Sequence, residues 1–271
     1  MTIPMLASWK IGRVAGIDVF VHPTFFLVFL FTDVLRNGPL AVLLVLAVFG
    51  CVLLHEFGHA LMARRFGIET EDITLYPIGG VARLRRLPRA PGAELLIALA
   101  GPAVNFAIVG ALMLLRWMGL AEDLAGTTLG FFMGQMVVVN LFLGLFNLIP
   151  AFPLDGGRVL RALLAGWLGR VQATHVAASI GRFLAVLFGL SVLYTGYWIH
   201  LALAIFVYFA ARAEELQVLH EERRRQYEDG SQGIWVAPPG YRWVQRNDGV
   251  WQLAPTVVVQ GGPYAGPTSW R

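Results

Sequence analysis

Gly38-Pro-Leu-Ala-Val-Leu-Leu-Val-Leu-Ala-Val-Phe-Gly-Cys-Val-Leu-Leu-His55-Glu56-Phe57-Gly58-His59-Ala-Leu-Met62 reads as a transmembrane helix that carries three ionisable groups near its end. The run exceeds the roughly 20 apolar residues that cross a bilayer. Ionisable groups at that depth are costly and are usually retained for function. Residues four apart on a helix share a face, so His55 and His59 can both offer an imidazole to one metal ion. Glu56 lies next to that pair.

Composition agrees with a membrane assignment. The 271 residues are 57% hydrophobic and 14% charged, against about a quarter charged in a soluble domain, and the mean hydropathy is +0.64. Lys10 is the one lysine, so the net charge of +4 comes almost wholly from arginine. On a soluble protein such a balance suggests nucleic acid. Here the arginines fall between apolar runs, where they report topology and contact with anionic headgroups, and no nucleic-acid partner is expected. The single cysteine, Cys51, excludes an intrachain disulfide. The first apolar stretch contains His22 and ends at no A-x-A site, so we expect it to be kept as a span.

Hydropathy predicts an all-α integral membrane protein of about six spans: residues 19–35, 38–64, 93–118, 129–152, and a run over 176–211 divided near Gly196. With the N-terminus in the cytoplasm, the inner segments collect Lys10, Arg13, Arg64, Arg65, Arg83, Arg85, Arg86, Arg89, Arg158, Arg161, Arg170, Arg212 and Arg223 to Arg225. The outer segments hold Arg36 and Arg116. That asymmetry predicts six spans with both termini cytoplasmic, in the inner or plasma membrane of a prokaryote.

Residues 68–87 do not read as a simple loop. Ile73, Leu75, Tyr76, Ile78, Val81 and Leu84 flank Gly79-Gly80, which predicts a short membrane-associated β-hairpin whose edge strand could pair with an extended peptide. The alternative is a surface hairpin that covers the core. Residues 1–212 are expected to form the membrane core and 213–229 a charged helical extension. Residues 230–271 form a small cytoplasmic tail rich in Gly, Pro and Trp, with an Asp248-Gly249 turn suited to a small hairpin and a surface for a regulatory partner.

Two histidines do not complete a metal site. Catalytic zinc takes three protein ligands and leaves a fourth position for water. The third ligand is expected from Asp155, in Asn147-Leu-Ile-Pro-Ala-Phe-Pro-Leu-Asp155-Gly-Gly-Arg158, where Pro150 and Pro153 break the fourth span on the cytoplasmic side, the side of His59. Glu94 is the rival ligand, although its place at the start of the third span also suits a solvated or capping carboxylate. Cys51, one turn before His55, reads as a buried small residue. Asn105 and Asn140 read as helix-to-helix hydrogen bonds, with Asn105 also a candidate support for the metal site. His22 reads as an interfacial hydrogen-bonded group or a gate.

These pieces together resemble the site-2 protease family of intramembrane zinc metalloproteases (peptidase M50), in its compact branch without a PDZ domain. The matching residues are His55-Glu56-Phe57-Gly58-His59, Gly101-Pro102-Ala103-Val104-Asn105, Asn147 through Gly157, Gly16 through Phe25, and Pro77-Ile-Gly-Gly-Val81, so the likeness runs over about residues 8–215. The resemblance implies a six-helix core, Zn2+ on His55, His59 and Asp155, and Glu56 as the base. It also implies substrate contacts from Asn147 and Pro153 and a transmembrane protein or peptide as substrate. Cleavage would release a signalling factor or clear signal-peptide remnants. The tail does not resemble the nucleotide-sensing CBS pair of many compact members.

Two other classes remain on the residues alone. A scaffold could retain zinc without chemistry and recruit partners through its tail, but Glu56 beside an open position has no purpose there. A zinc transporter would need more His or Asp in the other spans, which show almost none.

Overall fold

The computed structural model describes residues 8–31, 38–86, 88, 90–119, 126–234, 237, 241–246 and 249–255. The chain forms two compact units, Met1–Val218 and Leu219–Arg271.

The first unit opens with strands β1 (Trp9–Val14) and β2 (Ile17–Val21), joined by a tight turn. Ala15 and Gly16 hold φ of 52° and 85°, the left-handed pair that a two-residue hairpin requires. Residues 19–35 are therefore not one helix. Ile17-Asp-Val-Phe-Val21 alternates, burying Ile17, Val19 and Val21 while Asp18 and Phe20 stay half-exposed, which is the period of a strand. A 3-10 turn (Pro23–Phe26) and helix α1 (Leu27–Phe31) follow, and residues 32–35 lie outside those described.

Helix α2 (Pro39–Arg65) carries the chain to the hairpin β3 (Thr70–Tyr76) and β4 (Gly79–Leu84). β3 pairs parallel with β2, setting Val19 opposite Ile73, so the expected hairpin is half of a four-stranded sheet in the order β1-β2-β3-β4. The all-helical expectation is corrected to a mostly helical fold with this sheet. A parallel pair needs a crossover, and α1 and α2 supply it. Phe57 and Ala60 of α2 pack on Ile17, Val19 and Ile73, which fixes the His55–His59 turn against the sheet.

Helices α3 (Pro91–Trp117) and α4 (Thr128–Asn147) follow, then an irregular turn, α5 (Asp155–Leu168), α6 (Arg170–Leu190), the short α7 (Val192–Thr195) and α8 (Trp198–Ile234). Among the described residues, four helical stretches are long and apolar enough to cross a membrane: Pro39–Arg65, Pro91–Trp117, Thr128–Asn147 and Arg170–Thr195. The helix α5, where sequence suggested only a break and an inner segment, buries Gly156, Gly157, Arg161 and Ala162.

The turn between α4 and α5 is packed tightly. Phe152 is fully buried against Ala177, Ala178 and Ala211, and its N–H donates to Ala177 O at 3.3 Å. A Cβ at Gly181 would stand 2.0 Å from Phe152 O, so α6 admits this turn only because glycine occupies that position. The second unit contains the end of α8 and an antiparallel hairpin of β5 (Tyr241–Gln245) and β6 (Trp251–Pro255). Residues 247–248, half of the expected Asp-Gly turn, and residues 256–271 lie outside those described.

Candidate metal centre

Helix geometry sorts the motif on α2 into faces. At about 100° per residue, His55 and His59 point nearly together and Phe57 points away from them. Phe57 faces the sheet, and the two histidines face α3 and α5. At the α2–α3 crossing, a Cβ on Gly58 would lie 2.6 Å from Ala100 O. A Cβ on Gly101 would lie 2.2 Å from His59 Nε2 and 2.7 Å from His55 Nε2. Small residues let the backbones meet here, as is usual between membrane helices.

Asp155, the first residue of α5, completes the cluster. His55 Nε2 and His59 Nε2 lie 3.1 Å apart, and Asp155 Oδ2 lies 3.1 Å from the first and 3.2 Å from the second. All three side chains are buried. Zinc bonded at about 2.0–2.1 Å in tetrahedral geometry sets its donors about 3.3 Å apart, so this triangle of two imidazoles and a carboxylate fits the ion. The glycine at 101 keeps the space beside the donors clear.

The far nitrogens are also held. His59 Nδ1 lies 2.7 Å from Ile97 O, which can only accept, so Nδ1 carries the proton and Nε2 keeps its lone pair for the cluster. His55 Nδ1 lies 2.6 Å from Asn105 Oδ1. Such outer hydrogen bonds orient a ligating histidine and raise its basicity.

Glu56 borders the sheet. The Ala82 N–H donates to Glu56 Oε2 at 3.2 Å and therefore points away from β3. Among the described residues β4 is an edge strand of the sheet, and its outer edge lies beside this carboxylate. A Cβ at Gly80 would come within 2.6 Å of Glu56 Cγ.

The other candidates are dispersed. Asn147 closes α4 and turns its Nδ2 back to donate to Leu143 O at 2.9 Å; Pro153 lies half-buried in the turn before Asp155. Glu94 is neither a ligand nor solvated. It is buried at 4% exposure, where Arg161 Nε donates to its Oε1 at 2.6 Å. Cys51 Sγ contacts Asn140 rather than the cluster. His22 caps the 3-10 turn by accepting from Thr24 N–H at 3.3 Å and stacks on Tyr76. Sequence reasoning missed Arg161. It is fully buried between Glu94 and the ring of Phe152, 4.8 Å from its centroid, and thereby ties α5 and the turn before it to α3. The signal available was Arg158 and Arg161 one turn apart on a segment that also begins with a buried carboxylate.

A buried two-histidine, one-carboxylate site set within apolar helices defines a membrane metalloprotein. The family model described as Peptidase family M50 matches residues 43–124 and 110–188. The chain is 38% identical to a zinc metalloprotease of Methanocaldococcus jannaschii over 76% of its own length, and spans about 60% of that relative. It is also similar to the solved structure of a site-2 protease from the same organism, with a TM-score of 0.60 and 34% identity, covering 77% of this chain and 95% of that one. The chain belongs to peptidase family M50.

Proposed function

We propose that this protein is an intramembrane zinc metalloendopeptidase that hydrolyses peptide bonds within or near the transmembrane segments of membrane-bound substrates. The observation that carries this reading is the buried His55–His59–Asp155 triangle with Glu56 on the same helix, facing the free edge of β4. Bound by the three ligands, zinc supplies Lewis-acid polarisation of the scissile carbonyl and of the attacking water. Glu56 takes the proton of that water and delivers it to the leaving amine, so no covalent intermediate is required.

A helical substrate presents no free carbonyl, so it must unwind first. The edge of β4 offers backbone groups to an extended strand, and Ala82 places that strand next to Glu56. Asn147 and Pro153, flanking the turn that brings Asp155, serve as substrate contacts. Two further crossings, by the stretch after His22 and by the apolar half of α8, complete a six-span core over residues 1–212 with both termini cytoplasmic in a prokaryotic inner or plasma membrane. Residues 213–229 extend it, and residues 230–271 receive a regulatory partner.

Co-expression with a single-span substrate tests this. Wild type is expected to cleave, and Glu56→Gln is expected to retain zinc without cleaving. Asp155→Ala is expected to lose both properties. Normal processing by both variants would overturn the protease reading.

A further inference from the structure

Asn105 and Asn140 are both fully buried, with 0% exposure, on α3 and α4 among apolar helices. A polar group left there without a partner is strongly unfavourable, yet both amides are matched in one continuous chain. Asn140 Nδ2 donates to Met136 O at 2.8 Å and lies 3.2 Å from Cys51 Sγ. Asn105 Nδ2 donates to Asn140 Oδ1 at 2.9 Å, and Asn105 Oδ1 faces His55 Nδ1 at 2.6 Å.

The direction of this chain is set at its far end. A main-chain carbonyl can only accept, so the end of Asn140 that faces Met136 O must be its NH2. The oxygen of Asn140 must then face Asn105 and receive the NH2 of that residue. The oxygen of Asn105 is left toward His55, whose Nδ1 must carry the proton. His55 Nε2 is thereby unprotonated, with its lone pair at the triangle. His59 reaches the same state in one step through Ile97 O; His55 reaches it through two side-chain amides.

We infer that Asn140 is a positioning residue for the metal centre, acting through Asn105 to hold His55 in the tautomer that ligates zinc. Cys51 takes part as the second acceptor at Asn140, which accounts for a sulfur one turn before His55 that does not join the cluster. The inference rests on the zinc reading of the site.

Zinc affinity of the purified full chain, measured by competition with a chromophoric chelator, tests it without reference to cleavage. Asn140→Ser and Asn140→Ala leave nearly the same cavity, so packing losses are shared. A serine hydroxyl in a helix donates to the carbonyl four residues back, here Met136 O, and can still accept from Asn105. Asn140→Ser should therefore bind zinc within about threefold of wild type, and Asn140→Ala about tenfold or more weakly, the usual loss when such a support is removed. Asn140→Leu keeps the side-chain volume without the polar link and should match Ala, which secures the comparison if the cavity prevents folding. In an Asn105→Ala background the Asn140→Ala loss should vanish, because the two act as one unit. Equal affinity of the Ser and Ala variants, or an undiminished Ala loss in the Asn105→Ala background, would overturn the inference while the zinc reading stands. A folded wild type that takes up no zinc would overturn both.

Discussion

Gly101 on α3 and His59 on α2 approach so closely that a methyl group at position 101 would stand 2.2 Å from Nε2 of the histidine. No real Cβ contact is that short, so a larger residue must displace the imidazole or part the helices. The missing side chain of Gly101 is thus a condition of the metal site, although glycine contributes no donor to it.

Gly101→Ala should remain membrane-inserted and helical, because alanine is the better helix former, yet lose zinc. We expect affinity to fall about a hundredfold or more, beyond the 10- to 100-fold usual for residues behind a ligand, since here a ligand itself is displaced. Metal content of the purified variant reads this directly. Wild-type zinc content would mean that α3 yields without disturbing the donors.

Ala82→Pro examines the edge of β4. Its N–H faces Glu56 rather than β3, so proline removes no bond of the β3–β4 ladder, and an edge strand tolerates it. The ring would instead occupy the place where an added strand must lie. Cleavage of a transmembrane substrate is expected to fall at least about tenfold, because the added strand is blocked and Glu56 also loses the charge-assisted hydrogen bond from Ala82 N–H, while zinc content stays at the wild-type level. Undiminished cleavage would show that the substrate does not pair with β4.

The grouping of His55, His59 and Asp155 was legible because it rests on local rules: a four-residue helical spacing and a proline-broken span. The β3–β4 hairpin was legible from Gly79-Gly80 between apolar residues, but its turn falls on Pro77-Ile78, and the two glycines expected to make that turn instead open β4, paired with Tyr76 and Leu75. Strand β2 was not legible, because only His22-Pro23-Thr24 separates Ile17 to Val21 from an apolar stretch, and five alternating residues are outweighed by the hydropathy that follows. Glu94 was misplaced for a different reason. A carboxylate at a helix start reads as a solvated cap unless its partner is known, and Arg161 lies 67 residues further along the chain. Pairing between distant charges is a property of the packed helices, and no periodicity announces it.

That pair carries its own consequence for stability. Arg161 and Glu94 are 1% and 4% exposed, and removing one partner of a buried pair leaves an uncompensated charge at about 3–5 kcal/mol. Glu94→Leu or Arg161→Met alone should lower the melting temperature in detergent by many degrees. Glu94→Leu combined with Arg161→Met should recover part of the loss, since apolar replacement of a buried pair is often neutral, while Glu214, 3.9 Å from Arg161 Nη1, keeps Arg158 as its partner. Because α5 begins with Asp155, the single variants should also bind zinc more weakly. Additive losses in the double variant would contradict a coupled pair.

Glu215 on α8 supplies a pH dependence away from the metal centre. It accepts from His175 at 2.5 Å and pairs with Arg182, both on α6. Burial works against its charge, but the hydrogen bonds from His175 and Arg182 outweigh it and lower its pKa below the ordinary glutamate value. A carboxylate with a depressed folded-state pKa stabilises fully above its unfolded value, about pH 4 to 5, and the contribution fades as pH falls through the lowered folded value. Wild type should therefore melt above Glu215→Gln at pH 7, by about a few degrees, and the gap should narrow as the pH falls below the unfolded value. A gap that stays constant between pH 7 and pH 3 would mean that the stabilisation does not come from the ionised carboxylate bridging α6 and α8.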